Sequence, residues 1–227
     1  FKKIDKFKKN LNLFLVVSDI NFKKKLEKNN FNNFKWINNN ESNKLKILKT
    51  LKNFKGKKLY AFSIQYKWKI IKDILEKFKE FINFHFGDIP RYRGHHTISH
   101  AILNNEKFIY GTIHSIDTEL DKGKIIDKVK VKNKNISSKD VEKKISIKLA
   151  NYFEKLIIKL VDKKELIFKE NIHNKGKFYS INSIEKLKEV KDYKEILNKT
   201  LAFDYPPHEP AYIKFENTRI YLSIKKN

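Results

Sequence analysis

Apolar and polar positions in the first half of the chain follow two periods in turn, one typical of strands and one typical of helices. Short apolar runs lie at residues 11–17, 34–37, 58–64 and 81–86. Segments with apolar residues at helical spacing lie between them, at 22–29, 45–51 and 68–81. Strands that alternate with helices predict an α/β protein with a doubly wound, mostly parallel sheet.

The second half of the chain continues this pattern and then becomes less regular. It predicts a helix at 96–103, strands at 107–116 and 124–132, and a long helix at 137–161. Ser138, followed by Glu142 just inside the first turn, is a favourable N-terminal capping pattern for the long helix. Alternation around residues 216–218 predicts a hairpin near the end of the chain. We therefore expect a domain at 1–161 and a small C-terminal region at 162–227 with a β-hairpin.

Composition limits the classes of protein to which the chain can belong. A hydrophobic fraction of 40% with eighteen Phe and ten Tyr is enough for a core, so intrinsic disorder is not expected. The absence of cysteine excludes disulfides, thiolate nucleophiles and Cys-based zinc sites. No apolar run is long enough for a membrane span and no signal-peptide pattern opens the chain. We therefore expect a cytoplasmic protein with no membrane partner.

The formal net charge of +25 raises the question of nucleic acid. Almost all of the positive charge is lysine, spread along the chain together with abundant Asn, Ile and Phe. This bias is typical of an AT-rich genome, so we do not expect a nucleic-acid partner. A basic RNA-binding α/β protein stays as an alternative, and the charge favours the approach of any anionic substrate.

One segment, residues 81–104 (FINFHFGDIPRYRGHHTISHAILN), holds four of the seven histidines and two of the three arginines. It begins where the fourth predicted strand ends, at the edge where open α/β sheets bind ligands. Asn83 and His85 are two residues apart on that strand, so they project to the same side. An amide can stabilise an oxyanion and an imidazole can move a proton. Asp121, in a later glycine-containing turn, can orient the imidazole.

The stretch NFHFGDIPRYRGHHTISHAILNNEKFIYGTIHSIDTELDKGKII resembles the formyltransferase signature. Members of that family carry Asn-x-His, then Leu-Pro-x-Tyr-x-Gly, Gly-x-Thr and Leu-Asp-x-Gly in this order. The resemblance covers about residues 58–130 and implies a Rossmann-like fold. It also implies that Asn83, His85 and Asp121 are the catalytic residues. The formyl donor would be 10-formyltetrahydrofolate, and no metal ion would be needed.

The resemblance also places the folate. Residues 64–70 (IQYKWKI) occupy the position of the family's pterin-binding loop, whose backbone would contact the folate ring. The residues expected at the cofactor are Tyr66, Lys67, Trp68, Ile70 and Asp121. The chain departs from the family after the histidine, where Asp88 stands in an otherwise apolar motif and could alter the acceptor pocket.

The C-terminal region favours one branch of the family. The residues after 161 are too few for the large barrel of methionyl-tRNA formyltransferases, and residues 201–222 resemble the short hairpin of sugar-nucleotide N-formyltransferases. This implies transfer to the 3- or 4-amino group of a dideoxyhexose on thymidine diphosphate (dTDP) or a related nucleotide, for surface polysaccharide synthesis. A homodimer is also implied. A ribonucleotide amine or methionyl-tRNA is the alternative acceptor.

Residues that follow the signature histidine are candidates for binding the acceptor. An arginine can pair with a diphosphate, although it can equally hold the loop in place. A tyrosine can stack on the base, although core or dimer packing is an alternative role. The expected acceptor-binding residues are Arg91, Tyr92, Arg93, His96 and Tyr205. We expect a hydrogen-bonded structural role for His114.

Overall fold

The computed structural model describes residues 16–17, 24, 27–28, 35–36, 60–64, 69–70, 72–171 and 176–225. The helix predicted at 45–51 and the expected cofactor residues Tyr66, Lys67 and Trp68 lie outside these ranges. Strand β1 (Val16–Val17) pairs in parallel with β2 (Lys35–Trp36), and both lie within predicted apolar runs.

The remaining strands and helices interleave along the chain, which confirms the α/β class. In chain order they are β3 (Tyr60–Ile64), α1 (Lys72–Leu75), β4 (Glu80–His85), β5 (Tyr92–Gly94), α2 (Thr97–Leu103), β6 (Phe108–Ser115), β7 (Ile125–Lys132), α3 (Ser138–Val161), β8 (Lys177–Tyr179), α4 (Ile196–Phe203), β9 (Tyr212–Phe215) and β10 (Thr218–Tyr221). Two short 3-10 helices lie at Glu185–Leu187 and Tyr193–Glu195.

The largest described sheet has four strands in the order β3-β4-β6-β7. Strand β6 pairs antiparallel with both β4 and β7, and a turn of nine residues, 116–124, joins β6 to β7. Parallel pairing joins β5 to β8 as well as β1 to β2. The predicted C-terminal hairpin is confirmed, because β9 and β10 pair antiparallel around a turn in which Glu216 has a φ of 49°.

Within the described part of the helical pattern at 68–81, a helix forms at Lys72–Leu75. Residues 76–79 form a turn and a bend, and β4 begins at Glu80. The prediction of a helix through residue 81 is therefore wrong at its end. The rings of Phe78 and Phe81 meet edge to face with centroids 5.3 Å apart, so the apolar side chains stay in contact across the helix-to-strand change.

The described chain forms two compact units. One comprises residues 1–61, 66–81 and 154–165, and the other comprises 62–65, 82–153 and 166–227. Leu156 and Ile157 are buried in the first unit. No helix within the described ranges is long and apolar enough to cross a membrane. The predicted domain boundary at 161 stays a prediction.

The core of the second unit lies between β6 and the first four turns of α3. Ile109, Ile113 and Ile145 are each no more than 2% exposed. Gly111 allows the close approach of helix and strand, since a Cβ there would lie 2.7 Å from Cγ2 of Ile145 and 3.2 Å from Cδ1 of Leu149. This packing holds β6 in place, and β6 supports one wall of the candidate site.

Substitution of Ile145 tests this packing. Ile145→Ala should lower the free energy of unfolding by about 2–5 kcal/mol, because the side chain is fully buried and its removal leaves a cavity. Ile147→Ala, on the same helix but 54% exposed, is the matched control and should change stability by no more than about 0.5 kcal/mol. Urea unfolding measures both. Equal losses for the two variants would contradict this assignment of the core.

Candidate active site

Asn83 and His114 face each other across two strands. Asn83 lies on β4 and is the direct partner of His114 on β6 in the antiparallel register. Nδ2 of Asn83 lies 3.2 Å from Nε2 of His114. Asn83 is half-buried while His114 is 1% exposed. The amide therefore lies at the accessible end of a buried hydrogen bond.

The ring of His114 is neutral and its tautomer follows from its partners. Nδ1 lies 2.7 Å from the backbone oxygen of Ser115, which can only accept, so Nδ1 carries the proton. The pKa of His114 is lowered to about 4, mainly by burial and also by His85, while Asp121 and the hydrogen bond to Ser115 act in the opposite direction. Nε2 therefore accepts from Asn83, and the second N–H of that amide is left for another acceptor.

His85 is anchored through the backbone of the following loop. Its Nε2 donates to the backbone oxygen of Tyr92 at 3.0 Å. Nδ1 then faces the carboxylate of Asp121, 3.7 Å from Oδ2, which is longer than a hydrogen bond. Gly87 makes the arrangement possible, because a Cβ there would lie 2.5 Å from Nε2 of His85 and 2.8 Å from the oxygen of Tyr92.

Asp121 lies in the turn between β6 and β7 and is 7% exposed. Oδ2 accepts from the backbone N–H of Gly94 at 2.8 Å, and Oδ1 lies 3.6 Å from Nε2 of His114. Its φ of 55° is left-handed, a conformation that costs about 1 kcal/mol for a residue other than glycine. The turn must therefore be held by other contacts, and Asn171 supplies two, to the backbone oxygens of Asp121 and Gly123.

The structure thus brings the three predicted catalytic residues together from two elements. The carboxylate of Asp121 faces both imidazole rings, and the ring centroids of His85 and His114 are 6.2 Å apart. Asn83 offers one N–H and His85 offers Nδ1, and within the described residues neither has a hydrogen-bond partner. An amide donor, an imidazole and a carboxylate in this order can stabilise an oxyanion and transfer a proton. Their catalytic role stays a prediction.

Asp88 and Arg91 form a charged cluster beside the site. One oxygen of Asp88 accepts from Arg91 Nε at 2.7 Å and the other accepts from Lys128 at 2.6 Å. Arg91 also contacts Glu106 at 3.0 Å. Asp88 is 8% exposed, so the unusual residue of the motif connects its loop to β7 with both oxygens engaged. Arg91 is half-exposed and already paired with two carboxylates.

Tyr92 and Arg93 also have partners within the protein. Tyr92 is 4% exposed, and its hydroxyl donates to Glu106 at 2.8 Å and accepts from Asn104 at 2.9 Å. Nη2 of Arg93 donates to the backbone oxygen of Gly176 at 3.4 Å, while Nε is buried with no partner among the described residues. The acceptor-binding roles of Arg91, Tyr92 and Arg93 stay predictions.

The other expected acceptor residues lie on nearby segments. His96 precedes α2 with a left-handed φ of 53°, and its Nε2 lies 2.9 Å from the oxygen of Ile181. Burial lowers its pKa. Tyr205 is half-buried and stands 5.5 Å from the ring of His208, and burial with a hydrogen bond to Glu142 raises its pKa to about 12.

The structure describes only some of the residues that bear on the cofactor and metal predictions. Of the residues expected at the folate, Ile70 and Asp121 are described, and Ile70 is half-buried in the first unit. Within the described ranges, no group of three or more histidine, aspartate or glutamate side chains could hold a metal ion.

Sequence reasoning missed two contributors to the site, Gly94 and Asn171. Gly94 acts through its backbone N–H, and in the sequence only its place in the signature motif could have indicated a role at the site. Asn171 lies 50 residues after Asp121 in a segment with no periodicity, so nothing in the sequence pointed to it. His114 was expected to be structural, and its hydrogen bond to Asn83 became visible only once the register was known.

The fold and this cluster define an α/β protein in which an amide and an imidazole at the end of β4 meet a carboxylate from the turn between β6 and β7. The family model described as "Formyl transferase" matches residues 22–161. The chain therefore belongs to the formyl transferase family.

The curated relatives of this chain are named as methionyl-tRNA formyltransferases. A methionyl-tRNA formyltransferase from Buchnera aphidicola subsp. Acyrthosiphon pisum is 32% identical over 136 residues. The alignment covers 53% of this chain but 42% of that protein, so the chain spans less than half of this curated relative. A second one, from Thermodesulfovibrio yellowstonii, is 34% identical over 105 residues, 46% of this chain and 33% of that protein.

Solved structures confirm the fold. A 4-N formyltransferase from Francisella tularensis is similar with a TM-score of 0.73 and 22% identity, over 94% of this chain and 86% of that chain. An N-formyltransferase from Helicobacter canadensis, solved with folinic acid and dTDP-3-aminofucose, is similar with a TM-score of 0.66 and 21% identity. That match covers 92% of this chain and 86% of the other. The predicted Rossmann-like formyltransferase fold is confirmed.

Gly87→Ala tests the anchoring of His85. The added methyl group would displace the imidazole or the oxygen of Tyr92, so we expect turnover by a formyl-transfer assay to fall about tenfold to a hundredfold. Gly111→Ala is the control, because its methyl group meets Ile145 in the core and should lower the melting temperature without changing turnover per folded molecule. Unchanged turnover in Gly87→Ala would show that this contact is not needed.

The neutral ring of His114 predicts a pH dependence of stability. The unfolded state takes up the proton near the ordinary pKa of 6.5 and the folded state only near 4, so the unfolded state binds more protons between these values. The free energy of unfolding should therefore fall as the pH falls through this window, by at most about 1.4 kcal/mol per pH unit from this group. Urea unfolding of the wild type and of His114→Gln should show a shallower dependence in the variant, and parallel curves would refute the assignment.

Proposed function

We propose that this chain is a folate-dependent N-formyltransferase. It would move a formyl group from 10-formyltetrahydrofolate to the 3- or 4-amino group of a nucleotide-linked amino-dideoxyhexose, with dTDP as the expected nucleotide. The observation that carries the proposal is the convergence of Asn83, His85 and Asp121. Each is held by a hydrogen bond within the protein, and among the described residues the second N–H of Asn83 and Nδ1 of His85 have no hydrogen-bond partner.

The residues present fit a formyl donor. 10-Formyltetrahydrofolate supplies a formyl carbon bonded to a nitrogen that leaves as an amine. Asn83 would donate its second N–H to the formyl oxygen as negative charge develops on it. His85, with Nε2 already donating to Tyr92, would present a protonated Nδ1 as a second donor to the same oxygen. Both donors are oriented before the reaction, which is the main requirement for electrostatic stabilisation.

Asp121 would assist the transfer of a proton from the attacking amine to the leaving group. Attack of the neutral sugar amine forms the new C–N bond and leaves a surplus proton on the amine nitrogen. Asp121 would stabilise the cationic His85, because its Oδ2 lies 3.7 Å from Nδ1 of that residue. It would also help to transfer the surplus proton to the departing folate nitrogen as the old C–N bond breaks. Bringing the amine and the formyl carbon together supplies much of the rate enhancement.

The sugar acceptor has two supports. The structure from Helicobacter canadensis, which shares the fold, is a complex with dTDP-3-aminofucose. The chain carries the short C-terminal hairpin expected of the sugar-modifying branch. Methionyl-tRNA is the second candidate acceptor, favoured by the names of the curated relatives and by the charge of +25.

Further parts of the proposal concern the assembly and the acceptor pocket. The hairpin exposes Phe215, Ile220 and Tyr221 by at least 52%, which supports a homodimer through this element. A cytoplasmic enzyme that supplies sugars for surface polysaccharides is consistent with a nucleotide-sugar acceptor. Arg93, whose Nε has no partner among the described residues, is a stronger candidate for the diphosphate than Arg91, whose guanidinium is paired with Asp88 and Glu106.

Substitution of the three residues tests the mechanism. Asn83→Ala, His85→Ala and Asp121→Ala should each lower turnover at least about a hundredfold, because each removes a donor, a proton carrier or a charge that acts on the reacting atoms. Asn133→Ala is the control, since it truncates an amide that donates to the backbone oxygen of Glu106 at the end of β7 opposite to the turn of Asp121. Circular dichroism and folate binding would show that the variants fold. Near-normal turnover in His85→Ala would end this mechanism.

The acceptor is tested directly by mass spectrometry. The purified protein is mixed with 10-formyltetrahydrofolate and a panel of dTDP-amino sugars, a ribonucleotide amine or methionyl-tRNA. Formylation of one sugar isomer supports the proposal and identifies the amine. Formylation of the tRNA alone would replace the sugar by the second candidate. Absence of folate binding would overturn both.

A further inference from the structure

The turn that carries Asp121 is held by residues beyond the part of the chain that matches the family. Nδ2 of Asn171 donates to the backbone oxygens of Asp121 at 3.4 Å and of Gly123 at 2.9 Å. Asn171 is 7% exposed, and the family match ends at residue 161. A buried amide that spans two carbonyl oxygens of one turn restricts the backbone of that turn.

A backbone bridge places Asn171 beside the turn. Ile125 donates to Lys169 at 2.8 Å and Lys169 donates to Ile125 at 2.7 Å, which is an antiparallel bridge at the start of β7. The turn is closed on its other side, where Ser115 donates to the oxygen of Lys124 at 2.8 Å. Gly123 permits this closure, because a Cβ there would collide with the oxygen of Ser115.

The same C-terminal region also supports the carboxylate of Asp121. That carboxylate accepts from the N–H of Gly94, which ends β5. Strand β8 pairs in parallel with β5, and the oxygen of Tyr179 accepts from His95 at 2.9 Å. Gly94 has a φ of 88°, and a Cβ there would collide with the oxygen of Tyr179. Backbone and carboxylate of Asp121 are therefore both held, directly or through β5, by residues after 161.

We propose that Asn171 is a positioning residue for formyl transfer and that residues 169–171, with β8, form part of the active site of this chain. The inference rests on the proposed function. Asp121 adopts a left-handed conformation that is unfavourable without external support. The carboxylate of Asp121 lies 3.7 Å from Nδ1 of His85 and 3.6 Å from Nε2 of His114. If the donor on Asn171 is lost, the turn relaxes and this carboxylate moves away from the two rings.

A merely structural amide would behave differently, and the chain offers a matched control. Nδ2 of Asn133 donates to the backbone oxygen of Glu106 at 3.0 Å, which is the same kind of bond at the opposite end of β7. Truncation of either amide removes one side-chain donor to the backbone. Only Asn171 holds the turn of Asp121, so only its loss should alter the surroundings of the two imidazole rings.

The experiment compares Asn171→Ala with Asn133→Ala in the full chain. Asn171→Ala should lower kcat about tenfold or more while the KM values for folate and acceptor change less than about twofold, since positioning of the carboxylate acts on the transition state. The Cε1–H resonances of His85 and His114 should also shift in NMR spectra. Asn133→Ala should leave kcat and both resonances unchanged.

The outcomes separate this inference from the proposed function. A folded Asn171→Ala with unmoved ring resonances overturns the positioning role, and moved resonances with unchanged kcat overturn its importance for catalysis. If the wild type formylates no acceptor, the proposed function fails while the resonances still test Asn171. If Asn171→Ala does not fold, Asn171→Leu keeps the side-chain size and removes the donor without adding a charge, and normal kcat in that variant overturns the inference.

Discussion

The buried carboxylate of Asp121 is the constraint on which the site depends. A carboxylate that is 7% exposed needs compensating partners, and here it receives the N–H of Gly94 and faces two imidazole rings. Its left-handed backbone needs support as well, which Asn171 supplies. The pairing of β5 with β8 and the turn after β6 both hold the carboxylate of Asp121 in its buried position.

The same desolvation organises the other two residues. Because burial keeps His114 neutral, its Nε2 accepts a hydrogen bond and thereby orients the amide of Asn83. His85 is oriented by a backbone oxygen, so its tautomer does not depend on a charged neighbour. The site thus presents oriented donors with few exposed charges, an arrangement suited to stabilising charge that develops only during reaction.

The region after residue 161 takes part in this arrangement. Residues 166–227 belong to the same compact unit as the strands of the site, and β8 lies against the loop that follows His85. Asp88, which departs from the family pattern, connects that loop to β7 through Lys128 and to Arg91. The loop is therefore held by charge pairs at the position where the sequence departs from the expected motif.

The sequence by itself determined the α/β class, most strand positions, the hairpin and the candidate residues Asn83, His85 and Asp121, because periodicity and motif order are local properties. It could not determine that the helix within 68–81 ends at Leu75 or that Glu80 joins the strand predicted at 81–86, since the pattern of these residues fits a helix equally well. Only tertiary structure decided the register that pairs Asn83 with His114 and the contact of Asn171 with Asp121. Those contacts join positions 31 and 50 residues apart, and no local pattern encodes such a distance.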